Sequence, residues 1–157
     1  MRLMDHMTDP NTQQYDGPCR IRHVPFEGGD VFRRRGGKAV DKHHFYRSAV
    51  AASSNLAGFA VVDEIGVVGG QIETVALGEM LPVDMHPERT QLFPTTGRLA
   101  IPADVGKDCD LYVDANGIQY ANLDAHATNV LRISDIVTWD MAWVSCGIPP
   151  ALRYGNL

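Results

Sequence analysis

Short apolar runs recur along most of the chain, separated by glycine, proline, asparagine and aspartate. Residues 111–121, LYVDANGIQYA, place Asn116-Gly117 between two such runs. Because this dipeptide adopts positive φ at low cost, the segment predicts a β-hairpin with a tight primed turn. Short strands at short intervals are typical of a barrel or sandwich. The predicted fold class is all-β: a small β-barrel or sandwich with a long extended N-terminal arm.

Further strands are predicted on both sides of the hairpin. Residues 59–62 form a continuous apolar run, which is typical of a strand buried on both faces. Residues 80–85 predict a strand that is bulged or at a sheet edge, because it contains Pro82. The remaining predicted elements are a loop between Pro87 and Pro94, strands at residues 99–101, 129–133 and 141–146, and an undecided helix or strand within residues 43–55.

The first part of the chain has a different pattern. Residues 1–45 carry three prolines, two Gly-Gly pairs and no sustained hydrophobic period, so they predict an extended arm. Residues 19–24 alternate like an edge strand. Such a segment buries too little by itself to offset its ordering entropy, so we expect it to lie on another surface, preferably a neighbouring subunit. The predicted organisation is arm 1–45, body 46–150 and tail 151–157.

Composition narrows the range of partners and compartments. The chain has 157 residues and a net charge of −5, which argues against a surface that binds nucleic acid as a whole. Its three cysteines lack zinc spacing, and free thiols favour a reducing cytoplasm. The polar N-terminal residues Asp5 and His6 argue against a signal peptide, and no membrane span is predicted.

Several residues are candidates for catalysis or metal binding. Adjacent His43 and His44 point to opposite faces of a strand and make a poor metal pair. The acids at positions 108, 110 and 114 do not match a calcium-loop template, and turn or edge roles are favoured. Cys146 is interpreted as a buried core cysteine. We therefore predict no catalytic residue, metal site or cofactor, and no enzymatic activity.

Three segments resemble a known family. Residues 78–83, 99–103 and 106–117 are similar to the strand and hairpin pattern of small phage head decoration (cement) proteins. The resemblance covers about half of the chain, within residues 59–147. It implies a β-rich body that forms a homotrimer on the outer capsid surface and binds the major capsid protein without catalysis. It also implies a location in the virion, after assembly in the host cytoplasm.

The arm carries the predicted partner-binding residues. Aromatic residues and arginine are favoured at interface hot spots, and an extended arm reaches further than a compact body. For the aromatic residues, packing in the protein's own core remains an equal alternative. The predicted anchors are Arg20, Arg22, Phe26, Phe32, Arg33, Arg34 and Arg35.

Two other functions remain open. A cupin-like barrel enzyme would need a cluster of histidine and glutamate facing the barrel interior. A carbohydrate- or receptor-binding module of a virion fibre could stack sugar rings on its aromatic residues. The candidates for that stacking are Trp139, Trp143 and Tyr154.

Overall fold

The computed structural model describes residues 19–29, 36–61, 67–68, 71–72 and 75–153. These residues form twelve strands and two single-turn 3₁₀ helices, Pro102–Asp104 and Pro150–Leu152. The strands are β1 (Ile21–Pro25), β2 (Ala39–Lys42), β3 (Tyr46–Ser48), β4 (Gly58–Ala60), β5 (Val67–Val68), β6 (Gln71–Ile72), β7 (Met80–Asp84), β8 (Thr90–Thr96), β9 (Asp108–Val113), β10 (Gln119–Asn122), β11 (Leu131–Ile136) and β12 (Trp143–Gly147). The predicted all-β fold class is confirmed.

Five strands close into a barrel in the order β10-β8-β12-β11-β9. Neighbouring strands are antiparallel except β10 and β8, which pair in parallel. Alternate side chains of a strand point to the same face, so Val144 and Cys146 of β12 both lie fully buried. Leu131 and Ile133 of β11 follow the same alternation. The result is a packed apolar core inside the barrel.

The predicted hairpin consists of β9 and β10, but its turn differs from the prediction. The Asp114 N–H donates to the Ile118 carbonyl, which leaves a three-residue loop in which only Gly117 has positive φ, 82°. A type I turn followed by a left-handed glycine is a common loop of this length. The Asp114 carboxylate accepts the N–H groups of Asn116 at 2.9 Å and Ile118 at 3.0 Å. These bonds hold Asn116 out of the left-handed region, so the primed turn was wrong.

Five further strands form a sheet in the order β1-β7-β4-β2-β3, antiparallel throughout. The sheet curls until its two edges approach each other. Phe26, just beyond β1, forms a parallel bridge with Tyr46 of β3, and the Glu27 N–H donates to the Tyr46 carbonyl at 2.8 Å. One face of the curled sheet carries its own apolar cluster, formed by Val24, Phe26, Val40, Ala60, Val75, Leu81 and Val83.

The other face of this sheet shares a core with the barrel. Phe59 of β4 meets Phe93 of β8 edge to face, with ring centroids 6.1 Å apart. The buried Gln119 side chain of β10 accepts the Ala39 N–H at 2.8 Å and donates to the carbonyls of Ala39 and Ala49 at 3.0 and 3.2 Å. Barrel and curled sheet are therefore packed as one unit.

The boundary predicted at residue 45 needs a correction. Strands β1 and β2 both lie within residues 1–45, yet both are hydrogen-bonded members of the curled sheet. They pair with β7 and β4, which belong to the predicted body. The body therefore begins no later than Ile21. The rest of the predicted arm, residues 1–18 and 30–35, lies outside the described residues.

Candidate partner-binding surface

Strand β1 forms one edge of the curled sheet, and among the described residues its backbone has partners on one side only. The Arg20 carbonyl accepts the Met85 N–H at 2.8 Å, and the Phe26 N–H donates to the Glu79 carbonyl at 3.0 Å. Backbone groups alternate in direction along a strand, so even-numbered residues of this segment face β7. The backbone groups of the odd-numbered residues point away from the sheet. An open edge of this kind is a template for a further strand.

The open part of this edge is short. The Ile21 and His23 backbone groups point outward and have no partner among the described residues. Pro25 presents a carbonyl but has no N–H. Beyond it, the Glu27 N–H is already bonded to Tyr46. The open edge therefore offers two donors and three acceptors, and its end after Pro25 has a structural cause.

Arg20 and Arg22 lie on this edge strand with exposed side chains. Neither forms an ion pair with any residue that the structure describes. The arginines further along the chain differ, because four of them are paired with aspartates. Those pairs are Arg47–Asp41, Arg89–Asp84, Arg98–Asp104 and Arg132–Asp108. Arg20 and Arg22 are two residues apart, so they extend from the same face of β1.

Phe26 needs a correction as a predicted partner anchor. It follows β1 at the point where the strand enters the core, and it is 0 % exposed within its own chain. Its ring therefore offers no surface to a partner. Of the three predicted anchors that the structure describes, Arg20 and Arg22 lie together on one surface. Phe32 and residues 33–35, the arginine triplet, lie outside the described residues.

The three hairpin acids do not converge on one point. Asp108 forms an ion pair with Arg132. The Asp110 carboxylate accepts backbone N–H groups from residues 127, 128 and 129 at 2.7 to 2.9 Å. Burial alone would raise the pKa of Asp110, but these N–H donors outweigh it and the pKa is lowered. Asp114 holds its own turn, so all three acids have local structural roles.

The thiols and imidazoles are likewise separated. Cys109 and Cys146 are buried in the barrel core, where burial raises the pKa of Cys109 to about 12 and that of Cys146 well above its ordinary value. The interpretation of Cys146 as a core cysteine is confirmed. None of the five described histidines is buried, and His43 bonds Glu27 at 3.0 Å. In the part of the chain that the structure describes, no group of three His, Cys, Asp or Glu residues is placed to hold a metal ion.

A partly buried ion pair stabilises the segment after β8. Arg98 donates to both carboxylate oxygens of Asp104, at 2.8 and 2.7 Å, and the Ile101 N–H adds a third bond at 2.8 Å. The hydrogen bond from Arg98 is the main cause that lowers the pKa of Asp104 from 3.8 to about 2. A carboxyl whose pKa is lowered on folding stabilises the native state above its ordinary pKa, and this stability is lost as the pH falls.

We therefore expect an acid-sensitive part of the stability to depend on Asp104. The free energy of unfolding should fall between pH 3.8 and about 2 in the wild-type protein. Asp104→Asn should be less stable at neutral pH and should lack this part of the fall. Urea unfolding at a series of pH values measures both effects, with the exposed Glu88→Gln as control. An unchanged acid limb in Asp104→Asn would contradict this assignment.

One feature of the core was not singled out from the sequence. Asp84 is 0 % exposed and forms an ion pair with Arg89, which is 5 % exposed. Arg89 is spaced five residues from Asp84, and no short motif signals such a pair.

No protein-family model, curated protein or solved structure matches this chain. Among the described residues, there is no helix of the length and hydropathy that crossing a membrane requires.

Proposed function

We propose that this protein is a phage head decoration (cement) protein that binds the major capsid protein on the outer capsid surface and catalyses no reaction. The resemblance of its hairpin region to that family is the starting point. The observation that carries the proposal is the exposed pair Arg20 and Arg22 on an open edge strand. Arginines on a rigid surface that form no ion pair with a described residue are suited to binding an acidic partner.

The rest of the described fold is consistent with a stoichiometric binding role. A cement protein must keep its shape while it contacts several neighbours, and stable interfaces need about 1,000 Å² or more of buried area. Here a closed barrel and a curled sheet share one core, and β1 is held on that sheet by its pairing with β7 and by Val24 in the sheet's own apolar cluster. We further propose that the protein forms a homotrimer and belongs to the virion after assembly in the host cytoplasm.

Binding to capsid shells tests this function directly. Full-length protein should sediment with shells assembled from the major capsid protein of the phage that carries this chain. Arg20→Glu/Arg22→Glu should weaken that binding about tenfold or more, a loss of about 1.4 kcal/mol, because both charges now repel an acidic partner. Lys107→Glu/Arg153→Glu changes the charge equally away from β1 and should bind like the wild type.

Two results would contradict the proposal. Wild-type protein that stays in the supernatant at every concentration would remove the capsid as a partner. Equal loss in both charge-reversed variants would show a dependence on net charge alone. Light scattering of the free protein measures the trimer independently, and a monomer on and off the shell would overturn that part.

A carbohydrate-binding role is the second candidate. The observation that favours it is Trp139, whose side chain is 84 % exposed on the loop before β12. An indole with this exposure can stack on a sugar ring. Glycan-array binding that is lost in Trp139→Ala, together with no capsid binding, would favour this role over decoration.

A further inference from the structure

We propose that the open edge of β1 binds an acidic, extended segment of the partner as an added antiparallel strand. This inference rests on the proposed function, because it names the chemistry that the partner presents to this surface. It adds a register, a charge pattern and a set of backbone hydrogen bonds to the proposal.

The backbone of β1 defines what can be added. The outward N–H and C=O groups of Ile21 and His23, followed by the Pro25 carbonyl, alternate as the ladder of an antiparallel pair requires. Five residues of β1 span about 16 Å at ~3.3 Å per residue. A partner strand of similar length would fill the open edge. Since the Pro25 nitrogen cannot donate, the partner needs no acceptor opposite it.

The end of the open edge fixes where such a strand stops. Beyond Pro25, the Glu27 N–H is bonded to Tyr46 of β3, so the curled sheet occupies its own edge there. An added strand therefore cannot continue past this point. Natural edge strands use proline and short length to prevent uncontrolled pairing, and β1 combines both with a small open section.

The charges on β1 select the partner's side chains. Arg20 and Arg22 lie on one face of the strand, and residues opposite each other in an antiparallel pair share a face. Acidic residues at alternate positions of the added strand would therefore meet both guanidinium groups. Guanidinium and carboxylate groups form paired hydrogen bonds of matching geometry. Ile21 is 46 % exposed on the opposite face and provides an apolar contact.

The β1 strand of a second copy of this chain could form the backbone hydrogen bonds, but its charges would not complement those of Arg20 and Arg22. Antiparallel pairing of two β1 edges about His23 would bring two copies of Arg20 and Arg22 onto one face of the joined sheet. The two copies of Arg22 would then be diagonal neighbours, close enough for the like charges of these long side chains to repel each other. A nucleic acid would meet the arginines but has no backbone ladder to pair with Ile21 and His23. The acidic strand is the occupant that satisfies both observations.

Amide hydrogen exchange of the full-length protein provides the first test. The probes are a synthetic peptide with alternating glutamate and valine, the same peptide with lysine for glutamate, and short duplex DNA. We expect the glutamate peptide to slow exchange at Ile21 and His23, and the lysine peptide to have no effect. Slowed exchange that rises with protein concentration and needs no peptide would identify a second copy. DNA binding without protection of these amides would likewise overturn the proposal.

The variant His23→Pro removes one outward N–H, at a position where an edge strand tolerates proline. Its match is His23→Ala, which loses the side chain and keeps the N–H. We expect His23→Pro to weaken both peptide and capsid-shell binding about threefold to tenfold, and His23→Ala to bind like the wild type. Slow exchange at Val24 and Phe26, which face β7, shows whether β1 remains folded.

These measurements separate the two proposals. If wild-type protein does not bind shells, the decoration function fails whatever the peptide does. If wild-type and His23→Pro bind shells equally while β1 stays folded, the decoration function stands and the added strand is wrong.

Discussion

Gly37→Ala should destabilise the protein by about 3 kcal/mol or more, at the upper end of the range for inserting atoms into a packed core. A Cβ at this position would lie 2.0 Å from Cε2 and 2.3 Å from Cδ2 of Phe93. Phe93 is fully buried and packs edge to face on Phe59, so its ring cannot move away from the added methyl group without disturbing the core. Urea unfolding monitored by circular dichroism measures the loss.

Gly78→Ala is the matched control, because it measures the loss of stability on replacing a glycine that has no steric contact. A Cβ on Gly78 would meet nothing within 4 Å, although its φ of 80° is unfavourable for alanine. Gly78→Ala should therefore cost about 1–2 kcal/mol, the cost of left-handed backbone alone. If Gly37→Ala were the milder variant, the segment that contains it would not pack against the barrel as described.

The contacts of Gly37 could not be predicted from the sequence. In the sequence, the pair Gly36-Gly37 falls in the predicted extended arm, because glycine indicates local backbone freedom and gives no information on distant contacts. In the fold these residues lie against β10 and the Phe93 ring, where only glycine leaves room. A close approach between segments more than fifty residues apart has no local signal. The predicted arm was therefore too long.

Local pattern did predict most of the barrel. The alternation in residues 111–121 and the apolar runs near 131 and 144 specify side-chain direction directly, and they became β9 to β12. The predicted strand at residues 99–101 is wrong, since this segment forms no ladder and enters a 3₁₀ helix. Two predictions based on proline were also wrong. Pro94 lies inside β8 and does not end a loop, and Pro82 lies in β7, which is an interior strand of its sheet and not an edge strand.

Pro82 shows why a central strand can contain proline. Its carbonyl accepts the Val61 N–H at 2.9 Å, so its nitrogen also faces the side of β4. Strand β4 ends at Ala60, and the missing N–H therefore falls just beyond the paired residues. Proline is excluded from an interior strand only where the adjacent strand has a carbonyl that needs the missing N–H. Where the adjacent strand ends depends on the topology of the whole sheet, and the local sequence pattern does not specify it.

The candidate surface was only partly predictable. Alternation in residues 19–24 predicted an edge strand, and β1 is at the edge of its sheet. The same period places Arg20, Arg22, Val24 and Phe26 on one face, yet the first two are exposed and the last two are buried. The transition occurs where the curled sheet begins to cover that face. The curl, and with it the burial of Phe26, arises from long-range pairing.

Removing the buried cation at Arg89 should have the other large effect, about 3–5 kcal/mol in Arg89→Met. Asp84 is fully buried, and Arg89 donates to its Oδ2 at 2.9 Å. Without the guanidinium, an ionised carboxylate would remain in the core. Arg132→Met is the matched control, because its ion pair with Asp108 is about one-third exposed on both sides and should contribute less than about 1 kcal/mol.

A double-mutant cycle identifies the cause of that loss. Asp84→Asn/Arg89→Met should be more stable than the sum of the single losses predicts, because the uncompensated charge is gone. Additive losses in urea unfolding would show that Arg89 acts only through packing. The pair also bears on the candidate surface, since Oδ1 of Asp84 accepts the Arg20 N–H at 2.9 Å and so holds the start of β1. Arg89→Met should therefore speed amide exchange at Arg20 and weaken capsid-shell binding, although residue 89 itself is buried away from the edge.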